Sequence, residues 1–180
     1  MSRISTALRG VLSVFLLLIG LAGPSLAADA DPYQHLRGYI GQTYRGAGAD
    51  GKPLVDIQRW DWAVAGKAVR ITHALEDGSY GGETVVFYDA PSKSLIYHYF
   101  TTAGFHTQGT MVASPGTWVA EEAVAGHHTI TRVRTTAIRA DDGSYTTRSD
   151  YLDKDTWVQG HSIAYAPAPG SVVPLPASAP

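Results

Sequence analysis

The chain has 180 residues, a formal charge of −2 and no cysteine. Its basic residues are scattered rather than clustered, which excludes the footprint of a nucleic-acid-binding protein. Without cysteine there is no disulfide framework, so burial and hydrogen bonds alone must hold the fold.

The chain opens with Arg3 and Arg9 ahead of an almost unbroken apolar run over residues 11–21. A break at Gly23-Pro24 and the small residues of Ser25-Leu26-Ala27-Ala28 follow. This is the pattern of a signal peptide over residues 1–28, cleaved near Ala28 or Asp29. The run falls short of the about 20 residues a comfortable membrane-spanning helix needs, and no cysteine follows it to carry a lipid. The mature chain is therefore expected in the periplasm or secreted, without a membrane anchor. Losing Arg3 and Arg9 takes the formal charge from −2 to −4. At the other end, residues 167–180 are rich in Pro, Ala and Ser and carry no charge, the composition of a disordered tail. Residues 29–166 are left as one folded domain.

Within that domain the composition is that of strands: Thr, Val, Tyr, Ile and Trp dominate the middle. His35-Leu36-Arg37 reads as a short helical lid. Turn signals then recur at Ala49-Asp50-Gly51-Lys52-Pro53, Ala65-Gly66, Asp77-Gly78, Ala90-Pro91-Ser92-Lys93, Ala103-Gly104, Pro115-Gly116, Ala125-Gly126, Asp142-Gly143 and Asp153-Lys154-Asp155. Loops this short join antiparallel strands, and none leaves room for a crossover helix. The expected fold is all-β, a single antiparallel up-and-down barrel of about ten strands, with a two-sheet sandwich as the competing architecture. Eight strands already suffice to enclose one small ligand, so about ten imply an internal cavity.

Register follows from the turns. A tight Ala65-Gly66 loop pairs Trp62 with Val69 and Trp60 with Ile71, and sets Asp61 opposite Arg70 on the solvated face. Trp60, Trp62, Val69, Ile71, His73 and Leu75 then point inward. Passing Asp77-Gly78 carries that face to Gly82, Thr84, Val86 and Tyr88. A loop over residues 91–93 carries it to Ile96, His98 and Phe100, and Ala103-Gly104 to Thr107, Gly109 and Met111. In the last third two registers stay open: one puts Arg132 and Arg134 inward, the other Val133. The last strand offers Trp157, Gln159, His161, Ile163 and Tyr165 on one face. The candidate ligand-binding set is Trp60, Trp62, Ile71, His73, Tyr88, His98, Phe100, Met111, Arg132, Arg134, Tyr151 and His161. Aromatic walls with several polar groups suit a small hydrophobic or amphipathic guest.

The run Tyr39-Ile40-Gly41-Gln42-Thr43-Tyr44-Arg45-Gly46-Ala47-Gly48 resembles the opening strand of lipocalin-like bacterial domains and of nitrobindin-like barrels, with Tyr44 at the tryptophan position. Val86-Phe87-Tyr88-Asp89, followed by Leu95-Ile96-Tyr97-His98-Tyr99-Phe100, resembles the middle hairpin of a lipocalin-like family. The resemblance implies a ligand-holding barrel. Its nitrobindin side also implies a haem histidine near the barrel's end, where His161 is the candidate, although a lone interior histidine is more often a hydrogen-bonded core residue.

Other chemistries have less behind them. The chain has no Gly-x-Ser-x-Gly elbow. His127 and His128 are neighbours that face opposite ways on a strand, and a metal site would need His73, His98 and His161 to converge. Two functions follow from the same cavity. One is a periplasmic binding protein for a small ligand. The other is a non-metal isomerase or lyase with His98 as base and Tyr88 or Arg70 as electrostatic partner. If Arg132 and Arg134 point inward, an anionic guest must neutralise them, which implies a carboxylate.

Overall fold

The computed structural model describes residues 31–49, 53–125 and 129–176. The expected signal peptide, residues 50–52, His127-His128 and residues 177–180 lie outside the described residues. In chain order the strands are β1 (Thr43–Gly48), β2 (Val55–Ala63), β3 (Ala68–Leu75), β4 (Gly81–Asp89), β5 (Ser94–Thr101), β6 (His106–Ser114), β7 (Thr117–Ala125), β8 (Arg132–Arg139), β9 (Tyr145–Asp153) and β10 (Thr156–Pro167). Each pairs antiparallel with its neighbours in sequence. β10 returns to pair with β1, closing the meander into a ten-stranded barrel without a free edge.

One end of the barrel is stoppered from within. The lid takes the form of linked turns over residues 32–41, with the N–H groups of Leu36 and Tyr39 donating to the carbonyls of Tyr33 (2.8 Å) and Leu36 (3.0 Å). Its apolar side chains Tyr33, Leu36 and Tyr39 are buried. The Tyr33 hydroxyl donates to the Lys67 carbonyl (2.7 Å) and accepts from the Tyr88 N–H (2.8 Å), tying the lid to two strand ends. Tyr39 stacks on Trp60 at 4.8 Å between ring centres. Beneath it, Trp60, Val69, Val86, Leu95, Met111, Trp118 and Ala137 fill that half of the barrel. Burying large side chains of this kind contributes about 1.5–3 kcal/mol each, so this half supplies the apolar stabilisation of a chain that has no cross-links.

The register of the first strands follows the expectation. Trp60 pairs with Ile71, Asp61 with Arg70, Trp62 with Val69 and His73 with Gly82. Across the next loop the expectation fails. Asp89 pairs with Ser94, so the loop spans the four residues 90–93 with Lys93 left-handed (φ 53°), one residue longer than expected. Every side chain of β5 is thereby turned over. Leu95, Tyr97 and Tyr99 face inward, while Ile96, His98 and Phe100 face out. On the outer wall His98 stacks between Phe87 (6.2 Å) and Phe100 (6.3 Å), and Phe100 is 54% exposed. The following loop slips by one residue in compensation, because Phe100 pairs with His106 and Gly104 is left-handed. Thr107, Gly109 and Met111 are therefore inward, as expected.

In the last third, Val133 is the inward residue and is buried. Arg132 and Arg134 lie on the outer face. Both reach Glu121, at 3.5 and 2.9 Å, and Arg134 lies 4.3 Å over the Trp157 ring. On β10 a bulge between Gln159 and Ser162 shifts the register. It leaves Trp157 and Gln159 outside and turns His161, Ile163 and Tyr165 in. Over residues 168–176 there is no regular secondary structure, but Ala168 donates its N–H to the Thr43 carbonyl (2.8 Å).

Candidate functional site

Opposite the lid the interior changes character. Several of the inward positions there, at the start of β2, β6 and β10 and the end of β3, β5, β7 and β9, are polar, while Val133 at the start of β8 is apolar. Asp56, 2% exposed, accepts from the Tyr165 hydroxyl on Oδ2 (2.8 Å) and faces His73 Nδ1 across Oδ1 (2.7 Å). His73 Nε2 meets the Tyr99 hydroxyl at 2.7 Å, and Tyr99 meets the Tyr80 hydroxyl at 2.8 Å. A carboxylate, an imidazole and two phenols thus form one chain from the wall to the half-buried Tyr80. Beside it, Glu122 Oε2 accepts from the hydroxyls of Tyr97 and Thr107, both at 2.7 Å. Tyr151 hydrogen-bonds His161 Nδ1 at 2.6 Å.

Glycines make these reaches possible. Tyr165 on β10 crosses over Gly46 of β1 to reach Asp56 on β2: a Cβ on Gly46 would sit 2.5 Å from the Tyr165 ring. Tyr99 on β5 crosses Gly82 of β4 to reach His73 on β3, with a Cβ there 2.5 Å from its ring. Tyr97 on β5 spans β6 at Gly109 to reach Glu122 on β7. A Cβ on Gly109 would lie 1.9 Å from the Glu121 carbonyl oxygen, so the two backbones approach more closely than any larger residue permits. At Gly46 and Gly82 the tyrosine ring fills the space that a side chain would take, and in all three cases a tyrosine carries its hydroxyl to a titratable group on the next strand but one.

Burial governs the titration of this end. It raises the Glu122 carboxyl above its ordinary value, against the lowering effect of the Thr107 and Tyr97 hydrogen bonds. Burial, followed by the Glu122 charge, holds the Tyr97 hydroxyl far above its usual range. Burial, Tyr80 and the Asp56 and Glu122 charges do the same for Tyr99. Tyr80 and Tyr151 are raised by burial and also sense Glu122, which places all of these groups around one polar mouth. At the lidded end burial alone dominates, pushing the Tyr39 hydroxyl up to about 12.

Of the residues expected to bind ligand, His73, Tyr151 and His161 belong to this mouth. Trp60, Ile71 and Met111 are buried in the apolar half. Trp62 and Tyr88 keep the expected inward register but sit at the lidded rim, 37% and 38% exposed, where Trp62 packs against Tyr33 and Arg37. His98, Phe100, Arg132 and Arg134 are on the outer wall and take no part. Sequence reasoning missed Asp56, Tyr80, Tyr97, Tyr99, Thr107 as a polar partner, and Glu122. The signal for Asp56 was present, since alternation back from Trp60 turns Gln58 and Asp56 inward. Glu121-Glu122 carried one too, because adjacent carboxylates on a strand cannot both face solvent.

With His98 outside, the three histidines weighed for a metal do not converge, and the described residues hold no cluster of three ligating side chains. Tyr151, bonded to His161, is raised by burial and also by the neighbouring Tyr80 and Glu122, so polar groups stand beside this histidine. Two open pockets lie away from the mouth's interior. One, about 420 Å³, is lined by Arg37, Ile40, Asp61 and Trp62 at the lidded rim. The other, about 220 Å³, is lined by Leu54, Val55, Leu75 and Glu76. In the first, Arg37 and Asp61 are already paired with Asp31 and Arg59.

The closed ten-stranded meander is consistent with a lipocalin-like barrel. No protein-family model matches the chain, and no curated protein matches it in sequence.

Proposed function

We propose that this barrel is an exported binding protein that takes a small amphipathic molecule into its polar mouth. The observation that carries the reading is Glu122, a carboxyl raised by burial and set among half-buried tyrosines at the end opposite the lid. Ionisable groups perturbed by burial at an open end are characteristic of sites that meet a ligand. The apolar half is occupied by the protein's own aromatic side chains. The guest is therefore short and lies against Tyr80, Tyr99 and Tyr151, rather than threaded along the axis as a fatty acid would be. The leader-like run of residues 1–28 supports export to the periplasm. Native mass spectrometry of protein purified from its own host tests the reading. A co-purified small molecule, lost on denaturation, is expected; bare protein at every stage of a gentle purification would refute it.

A second reading, proton transfer by a non-metal isomerase or lyase, is favoured by the Asp56–His73–Tyr99–Tyr80 chain alone. Both nitrogens of His73 are already bonded, so any proton would have to pass through the phenols. Turnover in a host lysate that His73→Gln abolishes would favour this reading over simple binding.

A further inference from the structure

We propose that the lidded end of the barrel holds one small anion, of the size of chloride or formate, between Arg139, Trp118 and the Tyr39 hydroxyl. This site lies at the opposite end from the polar mouth and does not depend on what the mouth binds.

Strand register puts a cation there. Ala137 is fully buried inside the barrel, and Arg139 follows two residues later on the same face of β8. Its guanidinium passes under the lid. A Cβ on Gly38 would lie 3.2 Å from Cζ, and one on Gly143 would lie 3.4 Å from Nη2. Nη2 donates to the Gly38 carbonyl at 3.3 Å, and Cζ lies 5.4 Å from the centre of the Tyr39 ring. No described carboxylate pairs with this arginine. Asp142, in the turn between β8 and β9, feels its charge but accepts from the N–H and hydroxyl of Ser144.

Three buried polar atoms at this end have no hydrogen-bond partner: Arg139 Nε, Trp118 Nε1 and the Tyr39 hydroxyl. Tyr39 is 1% exposed and Trp118 8%. Burial raises the Tyr39 hydroxyl, and the Arg139 charge and the Trp118 N–H pull it back, which sets both donors beside that oxygen. Burial likewise raises Tyr44, and Arg139 acts against it there too. The Gly38 carbonyl takes both Arg139 and the Tyr44 hydroxyl, at 3.3 and 3.4 Å, so each bond is long. Donors therefore outnumber acceptors. An indole N–H and a guanidinium can only donate, and phenols raised by burial keep their protons, so no change of protonation removes the surplus.

Buried donors gathered around a cation call for an acceptor that carries negative charge. Water brings two donors of its own and leaves the charge unmatched. A long acid has no room, because Tyr39 stacks on Trp60 and the barrel's own side chains fill the half beneath. A compact anion supplies acceptors alone. By the same contacts it ties the lid, through Tyr39, to β7 and β8.

The test follows the indole N–H resonances of ¹⁵N-labelled protein purified from its host. Sodium chloride and, separately, sodium formate are titrated in, with sodium gluconate, too bulky for the site, holding the ionic strength constant. The Trp118 N–H is expected to shift along a saturating curve while that of Trp157, on the outer wall beside Arg134, stays in place. Arg139→Gln should raise the midpoint of that curve about tenfold or more, the effect of losing one charge-assisted hydrogen bond. Circular dichroism checks that the variant folds. The melting temperature of the native protein should also rise as the bound anion replaces gluconate. Saturation by chloride, by formate or by both supports the site and shows which anion fits. A Trp118 resonance and a melting temperature that neither anion moves overturn the proposal without any variant. So does a shift that persists unchanged in Arg139→Gln.

Discussion

Tyr165→Phe removes one oxygen from the middle of the polar network and nothing else. The ring keeps its stack on Tyr145, 4.6 Å between centres, and its place over Gly46. What disappears is the hydrogen bond to Asp56 Oδ2, 2.8 Å long and buried at both ends. Asp56 is only 2% exposed, so solvent cannot replace the lost donor. Hydrogen bonds to a charged group contribute about 1.5–3 kcal/mol, and a buried acceptor left unpaired loses that in full. A loss of about 2 kcal/mol is expected, which for a domain of this size lowers the melting temperature by about 4–8 °C. Equilibrium urea unfolding and calorimetry measure it. Tyr88→Phe is the control: that residue is 38% exposed at the lidded rim, and its replacement should stay within about 0.5 kcal/mol. If Tyr165→Phe is as mild as the control, Asp56 does not hold a buried charge through this bond and the network reasoning fails.

Other consequences can be checked in the same way. Because burial raises the folded Glu122 carboxyl above its ordinary 4.5, the folded state holds this proton more tightly than the unfolded one. Its contribution is then complete below that ordinary value and is lost as pH rises through the folded one. Glu122→Gln keeps an oxygen for Tyr97 and Thr107 and should match or exceed the native stability at neutral pH, with the advantage vanishing in acid; a variant clearly weaker at pH 7 would contradict the sign. Gly109→Ala drives a Cβ to 1.9 Å from the Glu121 carbonyl oxygen and should destabilise by about 1–3 kcal/mol or more through forced separation of β6 and β7. An unfolding midpoint unchanged by Gly109→Ala would show that the strands are not so close. Trp60→Ala should cost about 3–5 kcal/mol, and Trp62→Ala distinctly less because Trp62 is 37% exposed; equal losses would contradict their placement.

The barrel was legible because turn chemistry punctuates the chain at nearly every strand end. The Asp61–Arg70 pairing correctly anchored the first hairpin register. Parity is the fragile part, since one residue turns over a whole strand. Nothing in Ala90-Pro91-Ser92-Lys93 announces that Lys93 adopts a left-handed conformation and lengthens the loop, and β5 was misassigned for that reason. The compensating slip before His106 returns β6 to the expected face. Gly160 in β10 was the available sign of the bulge that turns Trp157 out and His161 in. The site was half legible. His73 follows from alternation and His161 keeps its expected face in spite of the bulge, whereas Tyr151 was expected beside inward-facing Arg132 and Arg134, which the structure turns outward. The bridging of Tyr97, Tyr99 and Tyr165 over glycines was not legible, because it joins residues on strands that are not adjacent.

The central claim is that the polar end of the barrel receives a small molecule. The most direct measurement is NMR of protein labelled with ¹³C in the tyrosine rings, purified from its host and compared before and after its co-purified ligand is removed. Tyr80, Tyr99 and Tyr151 are expected to change resonance while Tyr39, Tyr44 and Tyr145 at the lidded end do not. Changes confined to Tyr33 and Tyr88 would place the ligand at the other rim and contradict the account.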